Sequence, residues 1–233
     1  MCQVYIHRFL DAAAADREFR RAIELDPNLA RAHHWYATFL IQVLRFPEGL
    51  AEIERARQLD PSSKAILADK GGLLLRAGRR EEGAALLKQM EASDPTFRSS
   101  HEYLATLYWD EGNYEDALDE FRKEALLRGA DQVVQEVTVK QDALRTGGGQ
   151  GLLQYQLSAA LRAYEHENGT AFKVATAYGQ LRQRDDTMKF LQLARQHHEA
   201  WLAYIELTPE LRWLRIDPEF RQLVVDLGLP ALP

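Results

Sequence analysis

The stretch Glu24–Ala37, ELDPNLARAHHWYA, returns twice in similar form, as QLDPSSKAILADKG from Gln58 and as ASDPTFRSSHEYLA from Ala92. Each copy begins 34 residues after the one before it. A fixed period of this length indicates an array of repeated helical units, because a single unit cannot bury its apolar face alone and must stack on its neighbours. The repeat therefore predicts the class of fold before any single residue is considered.

Each copy contains an Asp-Pro pair. Proline lacks an N–H group and interrupts a helix, but it is tolerated in a turn or at a first helical position, so each pair predicts the end of one helix and the approach to the next. Gly78 and Gly112 fall between the two helices of their units, where glycine can end a helix in the left-handed conformation. Small residues that let two helix backbones approach recur in the columns Ala15, Gly49, Gly83, Ala117 and Ala37, Gly71, Ala105.

Large apolar residues form further columns with the spacing of one helical face, so we predict an all-α solenoid of stacked antiparallel helix pairs, with about 12 helices. The columns are regular over residues 1–129, where the first repeat is incomplete. Over residues 130–233 we predict degenerate repeats and C-terminal capping helices that continue the same solenoid. The glycine-rich run Gly147–Gly151 predicts a flexible loop between two helices.

Composition and charge narrow the class of protein. The chain has 233 residues, of which 46% are hydrophobic and 27% charged, as is typical of a globular protein. No stretch approaches the roughly 18 apolar residues of a membrane span, and the opening residues lack the pattern of a secretory signal. A net charge of −6 argues against direct nucleic-acid binding. We therefore predict a soluble, cytoplasmic protein without a membrane segment.

The residues that could carry chemistry favour structural roles. Cys2 is the only cysteine, which excludes an internal disulfide and a cysteine-based zinc site. His33 and His34 are adjacent, as are His197 and His198, and neighbouring helix residues point about 100° apart, so they cannot easily share a metal ion. Acidic residues in short clusters are usually solvated. We predict no catalytic site, no metal and no cofactor.

The best candidate for a functional surface is the concave face that the first helix of each pair is expected to line. The residues projected onto this face are His34, Thr38, Gln42, Ala68, Arg76, Glu102, Thr106, Trp109 and Asp110. Tryptophan and arginine are frequent binding anchors, which draws attention to Trp109 and Arg76. Trp35 and Tyr103 have the spacing of core residues. We predict that this face binds a protein or a peptide, although a small molecule remains an alternative.

The columns resemble the tetratricopeptide repeat family, best in HEYLATLYWDEGNYEDALDEF, His101–Phe121. The segments REFRRAIELDPNLARAHHWYATFL, AEIERARQLDPSS and LRWLRIDPEFRQLVVDLGLP resemble the C-terminal repeat region of bacterial winged-helix transcriptional regulators related to a cadaverine-response activator. The resemblance implies a right-handed solenoid that serves as the interaction or sensing arm of a regulator. The motifs concern repeat packing and capping rather than chemistry, so they leave the partner open.

Two other functions remain open at this stage. The chain could act on a signalling enzyme or a response regulator in a phosphatase-like manner, or it could self-associate through the N-terminal face around Val4, Ile6, Phe9 and Leu10. Only one full helix, about Asp11–Leu25, precedes the first Asp-Pro pair. We expect that a longer natural parent, with an upstream DNA-binding or kinase domain, supplies the missing partner helix, although a second copy or a distorted N-terminal segment would also cover this face.

Overall fold

The computed structural model describes residues 12–166 and 169–229. Within these ranges all regular structure is helical, in thirteen helices and without a strand, which confirms the predicted all-α fold. The predicted contact residues Val4, Ile6, Phe9 and Leu10, together with Cys2, lie outside the described residues. The α-helices are α1 (Ala12–Leu25), α2 (Ala30–Gln42), α3 (Phe46–Leu59), α4 (Lys64–Arg76), α5 (Arg80–Ser93), α6 (Arg98–Asp110), α7 (Tyr114–Arg128), α8 (Asp131–Glu165), α9 (Ala171–Gln180), α10 (Arg184–Gln196) and α11 (Pro218–Asp226), and the 3-10 helices are η1 (Ala200–Leu207) and η2 (Pro209–Ile216).

The described residues form two compact units, one up to Thr138 and the other from Val139 onwards. The division between the units falls inside α8, which also contains the glycine-rich run. The predicted loop at Gly147–Gly151 is wrong in extent: only Gly148 leaves the helical conformation, with φ 61° and ψ −165°, so the two helices meet at a kink. One residue suffices because glycine adopts a positive φ without steric cost.

In the first unit, α2–α3, α4–α5 and α6–α7 are antiparallel pairs that pack closely through small residues. A Cβ atom on Gly83 would lie only 2.8 Å from the carbonyl oxygen of Gly71, so α4 and α5 approach at a distance that only glycine permits. The predicted apolar columns face the interior, where Leu40, Ile53 and Leu87 are fully buried. The repeat period therefore encodes the core of this unit as well as its helix boundaries.

Helix α1 is attached to α2 by polar as well as apolar contacts, and none of its residues is fully buried. The Asp16 carboxylate accepts hydrogen bonds from Arg20 at 2.7 Å and from the Tyr36 hydroxyl at 2.8 Å, and Arg45 also donates to it. Burial alone would raise the pKa of Asp16, but these three donors outweigh that effect and lower it to about 2. Asp16 therefore stays ionised and anchors α1.

The second unit has its own apolar core, built from the C-terminal part of α8 together with α9, α10, η1, η2 and α11. Leu191, Leu211 and Phe220 are almost completely buried in it. The Glu199 carboxylate accepts hydrogen bonds from the first two backbone N–H groups of α9, at 2.7 and 2.9 Å, and so caps a helix far from it in sequence.

None of the helices described in either unit is long and apolar enough to cross a bilayer.

Candidate functional site

The first helices of the three pairs, α2, α4 and α6, present equivalent positions side by side. We call this surface the first-helix face. It consists of Trp35, Thr38 and Gln42 on α2, Asp69, Gly72 and Arg76 on α4, Tyr103, Thr106 and Asp110 on α6, and the neighbouring His34, Ala68 and Glu102. Residues at these spacings lie on one stripe of each helix, and corresponding residues of successive helices are one repeat apart.

Asp69 connects all three helices of the first-helix face. Its Oδ2 atom lies 2.6 Å from Nε2 of His34 on α2, and its Oδ1 atom accepts a hydrogen bond of 2.7 Å from the Tyr103 hydroxyl on α6. Burial alone would raise the pKa of Asp69, but the hydrogen bonds to His34 and Tyr103 outweigh it, so the pKa is lowered. Burial raises the pKa of Tyr103, and the neighbouring Asp69 charge adds to the effect. The three side chains form one fixed polar network.

The network depends on the absence of a side chain at Gly72. A Cβ atom at this position would lie 2.3 Å from Cε1 of Tyr103, which is far inside van der Waals contact. The Tyr103 ring therefore lies directly against the backbone of α4, which places its hydroxyl beside Asp69. A glycine between two threonines in equivalent positions, Thr38 and Thr106, is a signal of close approach in the sequence.

Trp35 is the largest exposed group on this face. Its side chain is 54% exposed, and one side of the indole stacks on the His34 ring with 5.6 Å between centroids and 18° between planes. The interpretation of Trp35 as a core residue is wrong. The repeat itself indicates that this position is not in the core. Asp69 and Tyr103 occupy the same position in the next two copies, whereas a core position is expected to be apolar in all three.

Some of the other predicted site residues are exposed, and others use their side-chain hydroxyls in hydrogen bonds within their own helix. Arg76 and Glu102 are exposed, and Gln42 is half-buried. The hydroxyl of Thr38 donates to the His34 carbonyl at 3.2 Å, and that of Thr106 donates to the Glu102 carbonyl at 3.0 Å, so both hydroxyls are used within their own helices.

Three predicted residues have a more structural role than expected. Ala68 is completely buried, so its side chain cannot contact a partner, because α4 is held between its neighbouring helices at this point. Trp109 packs against Tyr114 and Phe121, with ring centroids 4.8 and 6.4 Å away. Asp110 lies 3.9 Å from Arg80 of α5. The exposed tryptophan of the face is therefore Trp35 and not Trp109.

Sequence reasoning also missed a buried polar bridge beneath this face. His33 on α2 is almost completely buried, and both nitrogens of its ring have partners. Nδ1 lies 2.6 Å from a carboxylate oxygen of Glu52 on α3, and Nε2 lies 3.1 Å from the carbonyl oxygen of Pro27. The bridge thus joins both helices of the pair to the Asp-Pro turn that precedes them.

The same bridge recurs two repeats further along the chain. Nδ1 of His101 lies 2.6 Å from Glu120, and Nε2 lies 2.8 Å from the carbonyl oxygen of Pro95. The intermediate repeat has Leu67 and Leu86 at the equivalent positions. We call these two sites the His–Glu bridges. The histidine, glutamate and proline recur in register, which is a signal that was present in the sequence.

One of the bridges belongs to a group that could geometrically hold a metal ion. Ligand atoms of Glu91, His101 and Glu120 lie within 4.8 Å of one another. However, the Lys123 ammonium group donates to Glu91 at 2.9 Å and to Glu120 at 2.6 Å, and these bonds raise the pKa of Lys123. A protein cation already binds both carboxylates, so we assign the group a structural role.

No protein-family model matches the chain, and a comparison with curated proteins finds no match either. The assignment of a function therefore depends on the residues of the first-helix face and on the repeat pattern.

Proposed function

We propose that the chain is a non-catalytic tetratricopeptide repeat scaffold that binds a protein or peptide on the first-helix face. The observation that carries the proposal is Trp35. Trp35 is 54% exposed, and its indole ring stacks on the His34 ring. A side chain that is already ordered in this way offers a large apolar surface at low entropic cost, and tryptophan is enriched among the residues that dominate binding energy. Such a side chain is more readily explained by a partner than by the stability of the fold.

The surroundings of Trp35 support binding because they are already ordered. Asp69 fixes His34 and Tyr103 through short hydrogen bonds, so few side chains would have to be immobilised when a partner arrives. Arg76 and Glu102 extend from the same face into solvent and offer charges of both signs at its margin. Their arrangement suits a partner that places an apolar group over the indole and polar groups around it.

The regular period of helix pairs supports the assignment to the tetratricopeptide repeat class, and the phrases that resemble the C-terminal regions of bacterial regulators support a role as an interaction or sensing arm in the cytoplasm. The net charge of −6 favours a protein partner over nucleic acid.

The test compares two tryptophans that are almost equally exposed. The immobilised intact chain should capture a defined partner from a lysate of the source organism, and Trp35→Ala should reduce that capture at least tenfold, since anchors of this type contribute about 2 kcal/mol or more. Trp201→Ala is the matched control, because Trp201 is 55% exposed but lies on η1 in the other unit. Quantitative mass spectrometry of the captured proteins provides the measurement. Equal capture by the two variants would contradict the proposal.

A further inference from the structure

The side chains of Trp35, Asp69 and Tyr103 occupy the same position in three successive first helices. The last two lie against the first helix that precedes their own. Oδ2 of Asp69 lies 2.6 Å from Nε2 of His34 on α2, and the Tyr103 ring lies against α4, where a Cβ atom on Gly72 would be 2.3 Å from it. This position therefore points along the array toward the preceding first helix. Within residues 12–166 and 169–229 no first helix precedes α2, and the Trp35 side chain is 54% exposed.

Helix α1 presents a second surface that the complete helix pairs bury. By its place in the repeat α1 corresponds to α3 and α5, and each of those helices packs against two first helices, its own and the next, whereas α1 packs against α2. Three equivalent positions are buried in both complete pairs but only half-buried in α1. They hold Gly49, Ile53 and Ala56 in α3, Gly83, Leu87 and Met90 in α5, and Ala15, Phe19 and Ala22 in α1.

The two surfaces border one place, as the middle pair shows. There the first helix α4 contacts its second helix through Gly71, whose carbonyl oxygen would lie 2.8 Å from a Cβ atom on Gly83. Through the adjacent Gly72 it contacts Tyr103 of the next first helix. By the same geometry, one helix beside α2 and against α1 would contact Trp35 and Ala15 together. We call this place, between Trp35 and the half-buried side of α1, the open first-helix position.

We infer that the partner occupies the open first-helix position as an α-helix. The inference rests on the proposed function, because it names the form in which a partner reaches Trp35. A helix satisfies most of its own backbone N–H and C=O groups, so it can lie against an apolar surface without further hydrogen bonds. An extended peptide would need partners for these groups, and the side chains of Ala15, Phe19 and Ala22 offer none.

The middle pair also indicates the chemistry of the docking helix. Gly71 and Gly72 are adjacent small residues, one against the second helix and the other against an aromatic ring of the next first helix. Trp35 is an aromatic residue at the position of Tyr103, so its close neighbour must be small as well. Leu74, two residues after Gly72, is buried in the core. The partner helix should therefore carry two adjacent small residues and a large apolar residue two positions further on.

The chain itself contains a helix that meets these requirements and can serve as the probe. A peptide of residues Ser63–Arg76 has the sequence of α4 and its capping serine. A lactam between Asp69 and a lysine introduced as Ala65→Lys holds the peptide helical, because residues four apart are neighbours on a helix. Asp69 faces α2 in the chain, and the corresponding side of the peptide stays free when it lies in the open first-helix position.

Fluorescence anisotropy of the labelled peptide, titrated with the intact chain, measures binding. Trp35→Ala should weaken binding by about tenfold or more, and Trp201→Ala, the equally exposed control in the other unit, should leave it unchanged. A Gly72→Leu peptide should also bind about tenfold or more weakly, since its side chain would collide with the indole. Leucine favours the helix more than glycine does, so this loss cannot come from a less helical peptide.

Equal affinity of the two peptides, or no binding by either, would overturn the inference. If Trp35→Ala still reduced capture of the lysate partner, the proposed function would stand and the helical form alone would be wrong; without that reduction both would fail. Two other results would assign the position to a different occupant and also overturn the inference. One is a dimer of the intact chain, detected by light scattering, that Trp35→Ala dissociates, and the other is peptide binding that requires removal of residues 1–11.

Discussion

Leu44 adopts a backbone conformation that glycines occupy in the next two repeats. Its φ is 65°, and the equivalent Gly78 and Gly112 have φ of 80° and 74°. The left-handed conformation costs a residue with a Cβ atom about 1–2 kcal/mol, whereas glycine adopts it freely. The first helix pair therefore contains strain at its turn that the following pairs lack.

Leu44→Gly should raise the free energy of unfolding by about 0.5–1 kcal/mol, because relief of this strain exceeds the greater entropy of glycine in the unfolded chain. Gly112→Leu is the reciprocal control and should lower it by about 1 kcal/mol or more; a Cβ at this site meets nothing within 4 Å, so the backbone alone is responsible. Urea unfolding curves measure both variants. A less stable Leu44→Gly protein would show that the leucine side chain matters more than its conformation.

Residue-level features were only partly predictable from the sequence. The turn glycines Gly78 and Gly112 were predicted because a left-handed residue at a helix end has few alternatives. The exposure of Trp35 was not predicted, since helical spacing assigns a side chain to one face of the helix but does not give the fraction of that side chain that is exposed. The partners of His33 were missed because Glu52 lies on another helix, although the recurrence of both residues two repeats later was visible in the sequence.

Helix elements were predicted more reliably, because each pair is encoded by several independent signals within one repeat. The Asp-Pro pairs, the columns of small residues and the columns of apolar residues all indicate the same helix boundaries. Such agreement between independent sequence signals favours a single structure. The main error was the loop at Gly147–Gly151. A run of glycines weakens a helix, but only Gly148 leaves the helical conformation here, and the other glycines of the run continue the two flanking helices.

The approach of α4 to α5 provides a test at this scale. Gly83→Ala should cost about 1–3 kcal/mol, because its Cβ would meet the rigid backbone oxygen of Gly71 at 2.8 Å and force the helices apart. Gly147→Ala is the control; it is exposed, has no neighbour within 4 Å, and should stabilise by up to about 1 kcal/mol through helix propensity. Thermal and urea unfolding of the two variants measure the difference. If Gly83→Ala left the free energy of unfolding unchanged, α4 and α5 would be able to move apart without loss of stability.

On the scale of the whole molecule, each of the two compact units has an apolar core of its own. The core of the second unit is drawn entirely from residues 157 and later, and the cores of the first unit come from residues before Arg128. The sequence indicated a change near this point, because the regular period ends at Gly129. It did not indicate the position of the division, which lies inside a helix and leaves no mark in composition.

Separate cores predict separate responses to core mutations. Leu191→Ala should cost about 2–5 kcal/mol and increase amide hydrogen exchange in α9, α10 and α11, since it leaves a cavity in the core of that unit. Ile53→Ala is the counterpart and should increase exchange in α2 and α3. Hydrogen-exchange mass spectrometry of the intact chain resolves both patterns. Equal acceleration throughout the chain in either variant would mean that the units unfold together.

The alternation of polar and apolar interiors has a consequence for how the repeats recognise each other during folding. Similar repeats are at risk of pairing a helix with the wrong copy of its partner. If α2 paired with α5, His33 would face Leu86 and a buried ring nitrogen would lose its partner; if α4 paired with α3, Leu67 would face the carboxylate of Glu52. Buried polar groups without partners are costly. The two kinds of interior thus distinguish neighbouring repeats and oppose mispairing between them.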